Sequence, residues 1–325
     1  MPARPQSRRA VCAALLAVAL LTAGAAGAQP FPAGPIRIVN AFPPGGPSDI
    51  ISRLVAEKMQ AALKQNVIVD NKPGAGGNIA ADQVAKSSAD GLTILSGIDT
   101  IVTINPTIYK SMPFKVEDLK PLMIMASSGL LFGAHPGLGV KTLTEFIAKG
   151  KATPLNFSSG SNGSPGHLAA AIFGEATGVK VTHIPYKGNS PAVMAVLSGE
   201  VQAGILATPG LLPHVQAGKV TALAVTSRKR SLLAPEIPTT AEAGLKALEV
   251  EVLYVALVPA ATPEPVMVVL RKAMADALDQ PDVKAQLTKL DLFVEGETGK
   301  AAEDSLRTQR ERFARIIKAT GMKVE

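Results

Sequence analysis

Ser164 and His167 stand three residues apart in a run of serines and glycines, Ser158-Ser-Gly-Ser-Asn-Gly-Ser-Pro-Gly166. A hydroxyl beside an imidazole could attack an acyl group, provided a buried acid orients the imidazole. No G-x-S-x-G elbow surrounds Ser164, so the simpler reading makes Ser164 a helix cap and packs His167 near the turn. His135, His183 and His214 show no metal-ligand spacing and read as surface or core residues. Gly160, Gly163 and Gly166 lack the G-x-G-x-x-G spacing, and no G-x-x-x-x-G-K-S/T run occurs, so nucleotide chemistry finds no motif.

What remains is anion binding by backbone. In Ile36-Arg-Ile-Val-Asn-Ala-Phe-Pro-Pro-Gly-Gly-Pro-Ser-Asp49 an apolar run ends in a proline and glycine turn, and Ser48 and Asp49 then offer N-cap chemistry. A strand, a glycine turn and a helix start form a cradle for anions. The first N–H groups have no partner inside the helix, and the dipole adds positive charge. An ordinary βα loop with a good cap is the alternative. The turn at 158–166 is a second such cradle, and the hydroxyls of Ser48, Ser159, Ser161 and Ser164 would add donors. That set suits a carboxylate without requiring an arginine. Asp49 reads either as a first-turn acid complementing the dipole or as a cleft residue repelling bulky anions or accepting a ligand amine or hydroxyl. Tyr254, in an apolar strand, reads either as core or as pocket.

These turns need elements to hold them. Strands are expected at 36–41, 67–70, 92–95, 155–157, 179–184, 203–206 and 222–225. Helices are expected at 50–63, 79–85, 143–148, 167–176, 192–197 and 211–217. This βα alternation predicts parallel sheets covered by helices, an α/β chain in two series. The apolar run at 250–258 could cross between them, and 265–278, 283–290 and 301–319 read as closing helices.

Arg4, Arg8 and Arg9, an apolar block at 10–21 and Ala26-Gly-Ala28 read as a cleaved secretory signal peptide over residues 1–28. Its removal takes Lys+Arg from 33 to 30 against 26 Asp+Glu, leaving a net charge of +4. No basic run with interleaved aromatics occurs, which argues against a nucleic-acid partner. Cys12 is the chain's only cysteine and leaves with the signal, excluding disulfides and thiolate chemistry from the exported chain.

The ordered motifs Phe42-Pro-Pro-Gly-Gly-Pro-Ser-Asp49, Asn71-Lys-Pro-Gly-Ala-Gly-Gly77, Asn105-Pro106-x-x-Tyr109, Ser161-x-Gly-Ser-x-Gly-His167, Pro185-Tyr-Lys-Gly188 and Pro238-Thr-x-x-Glu-Ala-Gly244 resemble the Bug/TctC family. Its members are extracytoplasmic solute receptors of tripartite tricarboxylate transporters. The resemblance implies a two-domain periplasmic-binding-protein (Venus-flytrap) fold with crossover strands, domain 1 being 29–130 plus 255–325 and domain 2 131–254. It implies ligand contacts from Phe42, Gly45, Gly46, Ser48 and Asp49 in the first loop and from Ser159, Ser161, Gly163, Ser164 and His167 in the second. Thr208 and Tyr254 complete the implied set. The implied guest is a small carboxylate, namely a di- or tricarboxylate, an acidic amino acid or an aromatic acid. A monomeric periplasmic protein would pass it to the transporter's membrane subunits, with no cofactor, metal or catalytic residue. An exported hydrolase using Ser164 and His167, and a ligand-sensing partner of a signalling receptor, are the alternatives. Gln202 stands where the family often has an acid, and Tyr254-Val-Ala256 where it often has Trp-Phe-Gly.

Overall fold

The computed structural model describes residues 31–322, so the signal-peptide reading of residues 1–28 lies outside the described residues. The chain opens with β1 (Ile36–Asn40), α1 (Pro47–Leu63), β2 (Val67–Asn71), α2 (Asn78–Ala85) and β3 (Thr93–Ile98). Two short helices, α3 (Thr100–Thr103) and α4 (Asn105–Ile108), precede β4 (Leu119–Ser128) and β5 (Leu130–Ala134). Then come α5 (Leu143–Ala152), β6 (Leu155–Ser159), α6 (Pro165–Thr177), β7 (Val181–Pro185) and α7 (Asn189–Ser198). They are followed by β8 (Ala203–Ala207), α8 (Thr208–Gln216) and β9 (Thr221–Val225). β10 (Val252–Pro259), α9 (Glu264–Leu278), α10 (Pro281–Lys289), β11 (Phe293–Glu297) and α11 (Gly299–Thr320) close the chain.

The strands form two sheets, one in the order β11-β4-β10-β3-β1-β2 and the other β7-β6-β8-β5-β9. Each sheet with its helices is a lobe. The βα repeats are parallel, β1 lying beside β2 and β3 and β6 beside β7 and β8. Neither sheet is parallel throughout, which corrects the expectation. β10 runs antiparallel to β3 and β4, β11 to β4, and β5 to β8 and β9. Connectivity explains the difference, because a parallel neighbour needs a crossover connection long enough to return the chain. β4 instead passes straight into β5 through Gly129, and β10 re-enters the first sheet from the second.

Burial follows the apolar pattern. All eight residues of β10 are buried, as expected of a central strand covered on both faces. In the first lobe Val39, Leu95 and Val255 pack with Ala80, Val84 and Leu306. In the second, Phe132, Phe146, Phe157 and Phe173 are buried with ring centroids 5.1 to 5.8 Å apart. Favourable aromatic pairs of this kind add about 0.5–1.5 kcal/mol each beyond the area they bury. Leu306, Phe313 and Ile317 form the buried stripe of α11, at the helical spacing the sequence shows.

Two passages between the sheets lie side by side. A Cβ on Gly129 would stand 2.7 Å from Ser227 Cβ and 2.9 Å from the Ser227 nitrogen, so only glycine allows this approach. Thr226 ties the passages together. Its N–H donates to Leu130 O (2.9 Å), its hydroxyl donates to Val250 O (2.6 Å), and that hydroxyl accepts Leu130 N–H (2.9 Å). Val250 N–H returns a bond to Thr226 O (3.0 Å). Among the described residues no helix is long and apolar enough to cross a membrane.

Candidate functional site

The first glycine turn is held from beneath by polar side chains. Asn40, fully buried at the end of β1, donates to Phe42 O (3.1 Å) and accepts the Ser48 hydroxyl (2.6 Å). The Asp49 carboxylate accepts Gly45 N–H (2.9 Å), Arg53 Nε (3.0 Å) and Asn71 Nδ2 (2.8 Å), and Asn71 also donates to Phe42 O (3.0 Å). Burial pushes the Asp49 pKa upward, but the bonds from Arg53, Gly45 and Asn71 outweigh it and leave the carboxyl below its ordinary value. Gly45 has φ +83° with nothing within 4 Å of an added Cβ, so the backbone twist, not space, calls for glycine. The N-cap is Gly46, without a side-chain cap. That corrects the cap expected from Ser48 and Asp49: both lie inside the helix, where Ser48 reaches the strand end and Asp49 reaches back to the turn.

The second turn is fastened to a histidine pair. Ser164 caps α6 as expected, its Oγ accepting His167 N–H (3.3 Å), and its hydroxyl donates to Ser159 Oγ (3.2 Å). The fully buried Ser159 donates to Ser161 O (3.0 Å) and lies 2.6 Å from His183 Nε2. With its proton on Ser161 O, Ser159 accepts from a His183 tautomer protonated at Nε2. His167 Nδ1 accepts Gly163 N–H (3.2 Å), and the two imidazoles stack at 3.6 Å and 5°. Burial lowers both histidines to about 4, His183 also feeling its neighbour, so both are neutral at pH 7. Ser164 therefore meets the His167 main chain, not its ring, and Nδ1 is occupied by a backbone amide. The hydrolase alternative lacks its serine–imidazole bond.

These turns border a cleft of about 570 Å³. Of the residues expected to contact a ligand, Phe42, Gly45, Gly46, Ser48, Ser164 and Tyr254 line it. Asp49, Ser159, Ser161, Gly163, His167 and Thr208 are not among the lining residues. Asp49 and Ser159 lie beneath the turns as supports, and Ser161 is exposed. Gly163 and His167 bond each other behind the Ser164 cap. Thr208 follows the lining residue Ala207 and is buried, its Oγ1 without a partner among the described residues.

The sequence reading missed the α7 end of the cleft. Gly188 N–H donates to Gly160 O (2.8 Å), and Asn189 Oδ1 accepts Ala207 N–H (3.1 Å), joining the starts of α7 and α8. Asn189, Ser190, Gly160, Ile98 and Ser128 all line the cleft. The local signal was Gly188, with φ +112°, before Asn-Ser-Pro. The starts of α1, α6, α7 and α8 thus border one space, and each first turn carries N–H groups without intrahelical acceptors.

Tyr254 serves both of its readings. It is buried in β10 and lines the cleft, its phenol pushed up to about 12 chiefly by burial. Behind it, buried Asp99 accepts Leu253 N–H (3.0 Å), the Thr103 hydroxyl (2.9 Å) and Gln309 Nε2. Burial raises the Asp99 carboxyl to about 6. Among the described residues no cluster of three His, Cys, Asp or Glu could hold a metal ion.

Comparison with known proteins agrees with this architecture. Residues 51–322 match the sequence model of the TctC family, described as tripartite tricarboxylate transporter family receptor. Protein BugT of Bordetella pertussis is 33% identical over 319 residues, covering 96% of this chain and 98% of BugT. The structure of R. palustris Rpa4515 with adipate superposes with a TM-score of 0.80 at 29% identity, over 90% of this chain and 99% of that one. The periplasmic binding protein BugD gives a TM-score of 0.77 at 30% identity, over 91% and 100%. The two lobes joined by paired passages are accordingly the two-domain α/β fold of periplasmic binding proteins.

Proposed function

The chain belongs to the family of tripartite tricarboxylate transporter receptors, which are solute receptors and not enzymes, and from that premise we propose a specific role. It captures a small carboxylate between its lobes in the periplasm and delivers it to the membrane subunits of a tripartite transporter. The observation that carries this reading is the meeting of four helix starts, two from βα turns on different sheets, around one cleft. Unpaired first-turn amides and helix dipoles favour an anion there without a counter-ion side chain. The adipate held by the similar Rpa4515 supports a carboxylate as that anion.

In this reading the lobes follow the two sheets, changing over between β4 and β5 as expected near 130 and at the start of β10 (Val252) instead of at 254, and they close by bending at the passages through Gly129 and Thr226. Contacts come from the turn at Phe42, Gly45, Gly46 and Ser48, from Ser164, and from Tyr254. Asp49, Ser159, Gly163 and His167 hold those turns in shape. The protein acts as a monomer after export by its amino-terminal signal. Isothermal titration of the purified chain against a panel of organic acids tests the reading, with at least one acid expected to bind at micromolar Kd or tighter. If no carboxylate binds, the proposal fails.

A further inference from the structure

Resting on the receptor reading, we infer that loop 72–77, together with Ile79, is the surface on which a membrane subunit of the tripartite transporter docks. Backbone shape carries this inference. Gly74, Ala75, Gly76 and Gly77 follow one another at φ +136°, +47°, +63° and +95°. Ala75 holds a side chain in a region that costs energy for a residue with a Cβ. Two buried amides brace the run. Asn105 Nδ2 donates to Gly76 O (3.0 Å) and to Asn78 Oδ1 (2.8 Å), and Gly77 N–H donates to Gly74 O (2.9 Å). A Cβ on Gly77 would stand 2.7 Å from Ile101, so the fold closes on the loop from beneath. Yet none of residues 72–79 lines the ligand cleft. Residues 72–76 are exposed, and Ile79, 52% exposed, is one of the few large apolar side chains left in water. A conformation that is strained, braced from the core and turned to solvent is shaped for contact beyond the chain.

Position identifies the neighbour. β1 and β2 run parallel with Asn40 beside Asn71, so the loop leaves the sheet at the same end as the Phe42 turn. Asn71 Nδ2 donates to Phe42 O and Asp49, Lys72 N–H donates to Asn40 O (2.8 Å), and a Cβ on Gly77 would lie 3.3 Å from Ala41 Cβ. The loop is thus buttressed against the turn that borders the cleft. A receptor hands over its guest only with the mouth of its cleft against the membrane subunit, and that subunit then covers what flanks the mouth. Gly74, Ala75 and Gly76 let a partner approach the main chain closely, and Ile79 offers it apolar area to bury. The fitting partner surface is an apolar hollow for Ile79 beside hydrogen-bonding groups for the exposed loop backbone.

The test uses the whole chain and right-side-out inner-membrane vesicles from the bacterium that makes it. With p-benzoylphenylalanine in place of Ile79, irradiation is expected to link the chain to a membrane subunit of the tripartite transporter, identified by mass spectrometry. The same probe in place of Val268, an exposed apolar residue of α9, should give at least tenfold less of that product. Unlabelled chain competes for the link, and Ala75→Gln and Ile79→Glu should each compete at least tenfold more weakly. Both variants should bind the panel of organic acids with unchanged Kd. No link from position 79, an equal link from position 268, or a link only to a soluble protein or a second copy of this chain overturns the inference. Folded variants that compete like the unaltered chain overturn it as well, and each of these results leaves carboxylate binding intact. A chain that binds no acid overturns the receptor reading instead, so the two failures differ. Should a variant not fold, the two probe positions decide.

Discussion

Asp49→Ala separates the two roles that a first-turn acid could play. The carboxylate is almost fully buried and accepts Gly45 N–H, Asn71 Nδ2 and Arg53 Nε. Arg53 is 53% exposed in its side chain, so losing that pair costs little, about 0–1 kcal/mol. The two part-buried donors, Gly45 N–H and Asn71 Nδ2, would each lose an acceptor, at about 1–3 kcal/mol apiece. A total near 3 kcal/mol corresponds to a Tm lowered by about 5 °C for a chain of this size. The released turn must then be reordered on binding, weakening ligand affinity by about tenfold or more. Differential scanning calorimetry and ligand titration on the same samples read both effects. Because the folded Asp49 pKa lies below the unfolded value of 3.8, its contribution is present above that pH and is lost as pH falls through the folded pKa. The Tm gap between the two proteins should therefore persist down to about pH 4 and close below it. Lost affinity at an unchanged Tm would refute the supporting role and make Asp49 a ligand contact.

The stacked histidines have folded pKa values of about 4 against 6.5 unfolded, so the unfolded chain takes up protons first and stability falls as pH drops from 6.5 toward 4. Replacing both by glutamine should flatten that fall in a Tm–pH series. Asp99, raised to about 6, acts with the opposite sign and is common to both proteins, so the difference between them isolates the histidines. Gly129→Ala is expected to cost about 1–3 kcal/mol in urea unfolding through collision with Ser227, and Ser227→Gly should restore much of it. Gly45→Ala should cost about 1–2 kcal/mol by the same measurement, since its strain comes from φ +83° and not from contact.

Much of the element order was legible because each signal was local. Apolar runs marked β9 and β10, and glycines marked the turns that feed α1 and α6. Strand direction was not local, since β10 pairs with β3 and β4 across more than a hundred residues. β11, Phe-Val-Glu-Gly-Glu at a sheet edge, carries too little apolar content to announce itself. The same division holds at the site. Ser164 as a cap followed from its position before Pro165, whereas the bonds of Asn71 to Asp49 and of Ser159 to His183 depend on which strands become neighbours. Ile98 reaches the cleft only through tertiary packing, and no pattern in its own segment distinguished it as a lining residue. The supports of a turn are as invisible in sequence as its wall.

Thr226 has a mechanical consequence. One residue makes two hydrogen bonds to Leu130 on the outgoing passage and two to Val250 on its own, returning stretch. Slipping the outgoing passage along the returning one would break both bonds to Leu130 together, because one residue makes them. Slip at this joint is therefore resisted at a single side chain.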